Sequence, residues 1–163
     1  MIFVCVGSRE YQFNRLLKKI DELVECGAIT DTIIAQIGHS SYLPKHYQYK
    51  RFMPDDEFRR YQQEADLLIS HGGTGSLIGA LKMGKKVLAV PRLAKYGEHI
   101  DDHQTQLVEA LEKEGYIKAA WCIDDLLDGI NSLEKHEIRR YNKPSLVLEI
   151  IEEFIRKELK CLL

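Results

Sequence analysis

Short runs of β-branched and other apolar residues alternate along the chain with stretches of helical periodicity. The clearest runs lie at 2–6, 32–37, 67–70 and 86–90, and weaker ones at 49–53 and 117–122. Strands that are apolar on both faces and separated by helices are typical of a parallel sheet covered on both sides. The alternation therefore predicts an α/β fold, with a Rossmann-like, doubly wound parallel sheet of about six strands.

The first helical stretch shows how this pattern is built. Its apolar side chains fall on one face, charged side chains cover the other, and Gly27 follows as a C-cap. We therefore expect this helix to pack its apolar face against the sheet. The apolar face consists of Phe13, Leu16, Leu17, Ile20, Leu23 and Val24.

The length of the chain limits its organisation. The 163 residues, 45% of them hydrophobic, suffice for one domain with a sizeable core, and we expect a single domain over 1–163. The 25 acidic and 23 basic residues leave a net charge of -2, which argues against a nucleic-acid partner. A cleft between two domains would need a second chain, because one domain cannot form it alone.

The four cysteines are scattered and form no CxxC pair, which predicts reduced thiols in a cytosolic protein. The N-terminal run has no basic flank and no cleavage site, so it is interpreted as a strand rather than a signal peptide. No apolar stretch approaches the ~20 residues that cross a bilayer. We therefore expect a cytoplasmic protein that is peripheral at the membrane face, reaching it through a partner.

A glycine-rich loop follows the run at 67–70. Its sequence, His71-Gly72-Gly73-Thr74-Gly75-Ser76, leads into a predicted helix. The amides and dipole of a helix N-terminus favour an anion, so the loop predicts a phosphate or diphosphate site. It does not end as a Walker A motif does, and it does not match GxGxxG. Alternatively, the loop is a tight turn without a ligand, and His71 bonds only to the backbone.

A second loop, at 91–99, leads into another predicted helix. Its Arg92 is predicted to contact either a phosphate or a surface acid. Helical spacing puts His103 and Gln104 on the inward face, where unpaired polar groups cost about 1–3 kcal/mol each. A polyhydroxyl ligand such as a sugar would pair with them; backbone caps or ordered water are the alternative. The apolar stripe that defines this face consists of Ile100, Leu107, Val108 and Leu111.

Two histidines in this region have the spacing of a metal pair. His99 and His103 are four residues apart, with acids at 98, 101 and 102. The order of these residues does not match HExxH, and no third cluster of ligands occurs elsewhere in the sequence. The sequence therefore predicts no metal and no other cofactor.

Five segments of the chain form a recognisable set. They are the glycine loop 71–76, Gly84-Lys85-Lys86-Val87, Val90-Pro91-Arg92, Gly97-Glu98-His99 and Asp102-His103-Gln104. Together they resemble the C-terminal domain of family 28 glycosyltransferases, and the segments 3–8 and 13–17 extend the resemblance over roughly residues 1–122. The stand-alone form of that domain is the most similar. It occurs as the soluble subunit of the two-chain dolichol-linked N-acetylglucosaminyltransferase and in bacterial exopolysaccharide and capsule glycosyltransferases.

The resemblance implies a GT-B architecture in which this domain is the C-terminal half and binds a UDP-sugar donor. A membrane-anchored second chain would bind the acceptor. The implied diphosphate-binding residues are Gly7, Ser8, Gly72, Gly73, Thr74, Gly75, Ser76 and Arg92. The implied uracil- and ribose-binding residues are Phe52, Met53 and Glu98, and the implied sugar-binding residues are His99, Asp102, His103 and Gln104.

One position departs from the family pattern. Several members carry a ribose-binding Glu in the helix after the glycine loop, where this chain has Gly79, and Glu98 is the candidate substitute. Inverting transfer also needs a base for the acceptor hydroxyl. His39 is the candidate in this chain, and otherwise the partner supplies the base. Helix amides and Arg92 would stabilise the UDP leaving group without a metal.

The last part of the chain, 145–163, carries a broad apolar stripe interrupted by charges. It predicts a C-terminal helix that either closes over the sheet or docks on the membrane-bound partner. The sequence as a whole predicts the donor-binding catalytic subunit of a UDP-sugar-dependent glycosyltransferase in polysaccharide biosynthesis. It would transfer a hexose or N-acetylhexosamine to a lipid-linked saccharide. A non-catalytic nucleotide-sugar-binding regulatory module is the alternative, and an isolated chain would be able to form homo-oligomers.

Overall fold

The computed structural model describes residues 1–100, 103–135 and 139–142. Within these residues, six strands form one sheet and five α-helices flank it. The strands are β1 (Ile2–Cys5), β2 (Ile33–Gln36), β3 (Gln48–Lys50), β4 (Leu67–Ser70), β5 (Lys86–Ala89) and β6 (Lys118–Ala119). The helices are α1 (Asn14–Glu25), α2 (Asp55–Glu64), α3 (Thr74–Lys82), α4 (His103–Lys113) and α5 (Leu126–Lys135).

The sheet is parallel throughout and has the order β3-β2-β1-β4-β5-β6. The predicted Rossmann-like, doubly wound α/β fold is therefore confirmed. The weaker runs overlap the edge strands, but β3 begins one residue earlier than predicted and β6 has only two residues. The order of strands reverses between β1 and β4, which is where ligands bind in sheets of this kind.

Each face of the sheet has its own apolar core. Alternate residues of one strand face opposite sides, so Val4 belongs to one core, whereas Phe3 and Cys5 belong to the other. Helices α1 and α5 cover the first core, which includes Leu17 and Ile130. Helices α3 and α4 contribute to the second. The strands thus have to be apolar on both faces, which is why they read as continuous apolar runs.

The start of α4 differs from the prediction. Ile100 was expected to open the apolar stripe of this helix, but the helix begins at His103, and Ile100 lies before it with 74% of its surface exposed. Val108 and Leu111 of the same stripe are buried as expected. The spacing predicted the buried face of the helix but placed its start too early.

Two predictions concern the membrane and the end of the chain. Among the described helices, none has the length and apolar character needed to cross a bilayer. The predicted C-terminal helix at 145–163 lies outside the described residues.

Candidate functional site

A cleft of about 700 Å³ lies at the carboxyl ends of the strands, where the loops after β1 and β4 meet. Its volume suits a ligand of nucleotide-sugar size. Most residues that the sequence predicted to bind the donor line this cleft. They are Gly7, Ser8, Phe52, Met53, Gly72, Gly73, Thr74, Gly75, Ser76, Arg92, His99 and Gln104.

Glu98 does not belong to the cleft lining, which corrects its prediction as a ribose ligand. Its carboxylate is fully buried. The Arg15 side chain donates to both carboxylate oxygens at 2.9 Å, and the Leu93 amide donates to Oε2 at 3.0 Å. This acid therefore anchors the loop after β5 to α1, and its oxygens are already used.

The other predicted residues lie at the rim or outside the described part. His39 is exposed beside the cleft, where its Nδ1 lies 3.1 Å from the Arg9 carbonyl oxygen and its ring packs edge-on against Phe52. Asp102 lies outside the described residues, and the structure describes no side chain for His103. The role of His39 as a base and the roles of Asp102 and His103 in sugar binding therefore stay predictions.

The glycine loop is built around the ring of His71. This side chain is buried, and its Nδ1 lies 3.2 Å from the carbonyl oxygen of Cys5. A carbonyl only accepts, so Nδ1 carries the proton and Nε2 does not. A methyl group at Gly73 would overlap Nε2, and one at Gly7 would come within 2.7 Å of it. Both loops need glycine because this ring fills the space between them.

Gly73→Ala is therefore expected to lower the free energy of unfolding by about 1–3 kcal/mol, the usual cost of overpacking a buried position. Gly73 has a φ of -69°, so alanine fits its backbone and only the contact with His71 opposes it. Urea denaturation measures the change. Gly75→Ala is the matched control, because a methyl group there meets nothing within 4 Å. Equal stability of the two variants would contradict this account of the loop.

The same burial keeps His71 neutral. Loss of solvation, reinforced by the nearby Arg92 charge, lowers the pKa of its imidazole to about 4 from 6.5. The unfolded chain takes up a proton as the pH falls below 6.5, but the folded chain does not do so until about pH 4. The stability contributed by neutral His71 is therefore complete above pH 6.5 and is lost as the pH falls towards 4.

We expect this group alone to remove about 3 kcal/mol of stability between the two pKa values. Urea denaturation at about pH 7.5 and about pH 5 measures the slope. His71→Asn should flatten the pH dependence. An equally steep slope in the His71 variant would show that other groups cause it.

Arg92 is a buried cation in the cleft wall. Only 1% of its surface is exposed, and its guanidinium donates to the carbonyl oxygens of Val6 and Tyr11. Burial lowers the pKa of the guanidinium to about 10, against the opposing effect of Glu98, so it stays charged at neutral pH. Its Nε–H has no partner among the described residues. Of the two predicted contacts, the surface acid is excluded, because this side chain is not at the surface.

The N-terminus of α3 forms part of the cleft lining. Helix α3 begins at Thr74, so the amides of its first turn have no intrahelical acceptor. The Ser76 hydroxyl donates to the Gly73 carbonyl at 2.9 Å and therefore braces the loop. The N-terminal residues of α3 and Arg92 line the same cleft, and free amides, a helix dipole and a cation together favour a phosphate or diphosphate.

Gln104 brings a neutral polar group to the opposite wall. It lies in the first turn of α4, which packs closely on Gly72. Its Oε1 is buried and has no hydrogen-bond partner among the described residues. His99 also lines the cleft, with its ring 5.1 Å from that of Tyr11. A buried amide oxygen without a partner favours a ligand that donates hydrogen bonds, such as a sugar hydroxyl.

The sequence analysis missed several lining residues. The additional ones are Cys5, Arg9, Gln36, Asp55, Phe58, His71 and Leu107. Gln36 gave a signal, since it is a polar residue inside an apolar run. Asp55 gave none, because an acid in the first turn of a helix is ordinary.

Groups that could hold a metal are not gathered here. Over the described residues, no three His, Cys, Asp or Glu side chains come close enough to bind one.

Several solved structures share this fold. The glycotransferase of kitacinnamycin superposes with a TM-score of 0.60 and 18% identity, over 83% of this chain and 35% of that one. The solution structure of ALG13 superposes with a TM-score of 0.58 and 17% identity, over 87% and 89%. MurG from Acinetobacter baumannii superposes with a TM-score of 0.57 and 18% identity, over 81% of this chain and 41% of that one. These likenesses confirm the predicted fold of a GT-B C-terminal half.

Sequence relatives lead to the same group. The chain is 28% identical over 137 residues to human UDP-N-acetylglucosamine transferase subunit ALG13, and 29% identical over 130 residues to the mouse protein. These matches cover 74% of this chain but only 11% and 10% of the two relatives, so the chain spans about a tenth of their length.

The family assignment covers almost the whole chain. A sequence model of the glycosyltransferase family 28 C-terminal domain matches residues 1–156, which include every strand and helix described above and the whole lining of the cleft. The chain therefore belongs to the glycosyltransferase family 28 C-terminal domain.

Proposed function

We propose that this protein is the donor-binding subunit of a UDP-sugar-dependent glycosyltransferase that extends a lipid-linked saccharide. The observation that carries the proposal is the buried Arg92, whose charge and unpartnered Nε–H lie in the same cleft as the N-terminus of α3. Glu98 favours the charged form of Arg92, and two carbonyl oxygens accept from its guanidinium, so the Nε–H is the group left without an acceptor. A buried donor without an acceptor is costly, and an oxygen of a diphosphate bound between α3 and Arg92 would accept from it.

The remaining walls suit the other parts of a nucleotide sugar. At one wall, Gln104 offers an unpaired amide oxygen to the sugar hydroxyls. At another, the backbone of Phe52 and Met53 and the aromatic face of Phe52 would receive the uracil. Asp55 lines this second wall. Its carboxylate would repel a phosphate, which favours placing the diphosphate at the α3 end.

The proposed reaction is an inverting transfer. The acceptor hydroxyl oxygen bonds to the anomeric carbon, the bond from that carbon to the UDP oxygen breaks, and a base takes the hydroxyl proton. Arg92 and the amides of α3 stabilise the negative charge that develops on UDP, without a metal in this role. His39, at the rim, is the candidate base in this chain, and the acceptor-binding partner is the other source.

The relatives guide the choice of donor and partner. The human and mouse relatives are named as subunits of a UDP-N-acetylglucosamine transferase. This supports UDP-N-acetylglucosamine as the first donor to test and a second, membrane-anchored chain as the source of the acceptor site. The proposal places the protein at the cytoplasmic face of a membrane, held there by that chain.

Calorimetry with UDP, UDP-N-acetylglucosamine, UDP-glucose and UDP-galactose tests the proposal, with GDP-mannose as the control. We expect micromolar to millimolar binding of the uridine compounds and weaker binding of GDP-mannose. Absence of binding to every uridine nucleotide, with and without the partner chain, would refute the proposal. Binding without sugar transfer in the presence of the partner would instead favour a regulatory module.

Gln104→Leu is expected to reduce the affinity for the UDP-sugar about tenfold and to leave the affinity for UDP itself within about twofold. The reason is that its unpaired Oε1 is assigned to the sugar rather than to the nucleotide. Calorimetry with both ligands measures the two changes. Gln106→Leu, two residues along the same helix at an exposed position, is the matched control. Equal losses for UDP and UDP-sugar would contradict the assignment.

A further inference from the structure

Gln36 is a buried carboxamide in the wall of the cleft. It is the last residue of β2, and only 7% of its surface is exposed. Side-chain alternation puts it on the same face as Ile34, the face that packs into the second core. Leaving a polar side chain at such a position is costly unless its hydrogen bonds are made.

The Gln36 carboxamide uses one of its four possible hydrogen bonds within the described residues. Its Oε1 accepts the backbone N–H of Met53 at 3.0 Å. An N–H group only donates, so this bond fixes which end of the amide faces Met53. The two N–H groups of Nε2 have no acceptor among the residues that the structure describes. Because Gln36 lines the cleft, these donors are available to a ligand.

The backbone beside Gln36 offers the opposite polarity. The Met53 N–H is occupied by Gln36, and Pro54 has no N–H. The Pro54 carbonyl accepts the Phe58 N–H at 2.9 Å, as part of the first turn of α2. The Met53 carbonyl accepts no hydrogen bond from the described residues. The Met53 carbonyl is therefore a free backbone acceptor beside the donors of Gln36, on the wall that Asp55 also lines.

A donor beside an acceptor matches one edge of uracil. The uracil ring presents its N3–H donor next to a carbonyl oxygen, whereas cytosine presents an unprotonated N3 next to an amino group. The wall would satisfy the uracil edge and would leave the cytosine edge facing groups of its own kind. Phe52 lies at the rim with about half of its surface exposed, where its ring can stack on the base.

We infer that Gln36 determines base specificity. Its Nε2 donates to a uracil carbonyl oxygen, and its Oε1 positions Met53 so that the Met53 carbonyl accepts the N3–H. The inference rests on the proposed binding of a uridine nucleotide in this cleft. It adds a side chain that contacts the base to a wall that also includes backbone groups, Phe52 and Asp55.

Gln36→Glu separates the two halves of this role. A carboxylate still accepts the Met53 N–H, but it has no N–H to donate, and it can accept from the amino group of cytosine. Calorimetry with UDP and CDP, at about pH 8 so that the new carboxyl is ionised, measures the two affinities. We expect the wild type to prefer UDP about tenfold or more, and the variant to lose or reverse this preference.

Gln62→Glu is the matched control. Gln62 is also buried, at 3% exposure, and its Nε2 donates to the Ser76 carbonyl at 3.0 Å, outside the cleft lining. The Gln62→Glu variant should change the affinities for UDP and CDP by the same factor, since Gln62 contacts the glycine loop at Ser76 and not the proposed base site. Gln36→Met, which removes donor and acceptor together, is the second variant. It should bring the UDP and CDP affinities within about threefold of each other.

The outcomes distinguish this inference from the proposed function. If the wild type binds no uridine nucleotide, the proposed function fails and takes the inference with it. If the wild type prefers UDP and both Gln36 variants keep the same ratio of affinities, the inference alone is overturned. Circular dichroism checks that each variant is folded. Should the Glu variant fail to fold, the ratio measured with Gln36→Met decides the question.

Discussion

Replacing Glu98 by glutamine is expected to lower the free energy of unfolding by about 3–5 kcal/mol. The carboxylate is fully buried and receives two hydrogen bonds from Arg15. It is also the acid that opposes the loss of charge from the buried Arg92. Glutamine has the same shape but no charge, so both guanidinium groups would be left without a counter-charge in a poorly solvated place. Urea denaturation at neutral pH measures the loss.

The control for this prediction is an ion pair of the same kind at the surface. Lys18 and Glu22 lie 3.9 Å apart on α1, and both side chains are more than half exposed. Glu22→Gln should change the stability by less than about 0.5 kcal/mol, because water already solvates both charges. If Glu98→Gln changed the free energy of unfolding as little as this control, the hydrogen bonds of Glu98 to Arg15 and Leu93 would not be what holds the loop after β5.

The burial of Glu98 also explains why its sequence context was misleading. It stands in a loop at the ligand-binding edge, between Gly97 and His99, and the family resemblance made it the candidate substitute for the ribose-binding Glu that is missing at Gly79. Its actual partner, Arg15, comes from α1, far away in sequence. Periodicity predicts that α1 packs against the sheet. It does not show that Arg15, on the charged face of this helix, contacts the loop after β5.

The strands and helices were easier to predict from the sequence than the partner of Glu98. Apolar runs such as 67–70 are long enough, and rich enough in branched residues, to indicate strands that are buried on both faces. Once the sheet is parallel, the loops that follow its strands must lie at one edge, so the glycine loop and Arg92 were placed together by topology alone. Topology did not predict the orientation of each side chain, since that orientation depends on contacts between distant segments.

Gln36 shows both what the sequence can predict and what it cannot. Its place in the run Ile33-Ile34-Ala35-Gln36-Ile37 marks it as a polar residue where packing favours an apolar one. That anomaly is visible in the sequence. Its bond to Met53 is not, because it depends on β3 lying next to β2 and on the path that the chain takes from β3 into α2.

Arg92→Met is expected to reduce the affinity for UDP by about 10- to 100-fold, the contribution of a hydrogen bond to a charged group. Methionine preserves much of the buried volume but removes the charge and the free Nε–H that we assign to the diphosphate. Uridine, which has no phosphate, should bind the variant and the wild type with similar affinity. Calorimetry for UDP, and NMR titration for the weaker ligand uridine, measure the two changes.

Arg92 also holds the loop after β1, so a loss of UDP affinity could come from a displaced loop rather than a missing charge. Arg51 is the matched control for that possibility. It donates to two loop carbonyls in the same way, on Gly38 and Ser40, but it does not line the cleft. Arg51→Met should therefore leave the UDP affinity nearly unchanged.

Uridine binding separates the two roles of Arg92 itself. A displaced loop would weaken the binding of uridine and UDP together, because the loop after β1 lines the same cleft as Phe52 and Met53, where we propose that the base binds. A missing charge weakens UDP alone, because only UDP carries the phosphates that the charge stabilises. If Arg92→Met lowers both affinities by the same factor, the buried guanidinium is a structural brace, and the anion-binding end of the cleft rests on the amides of α3.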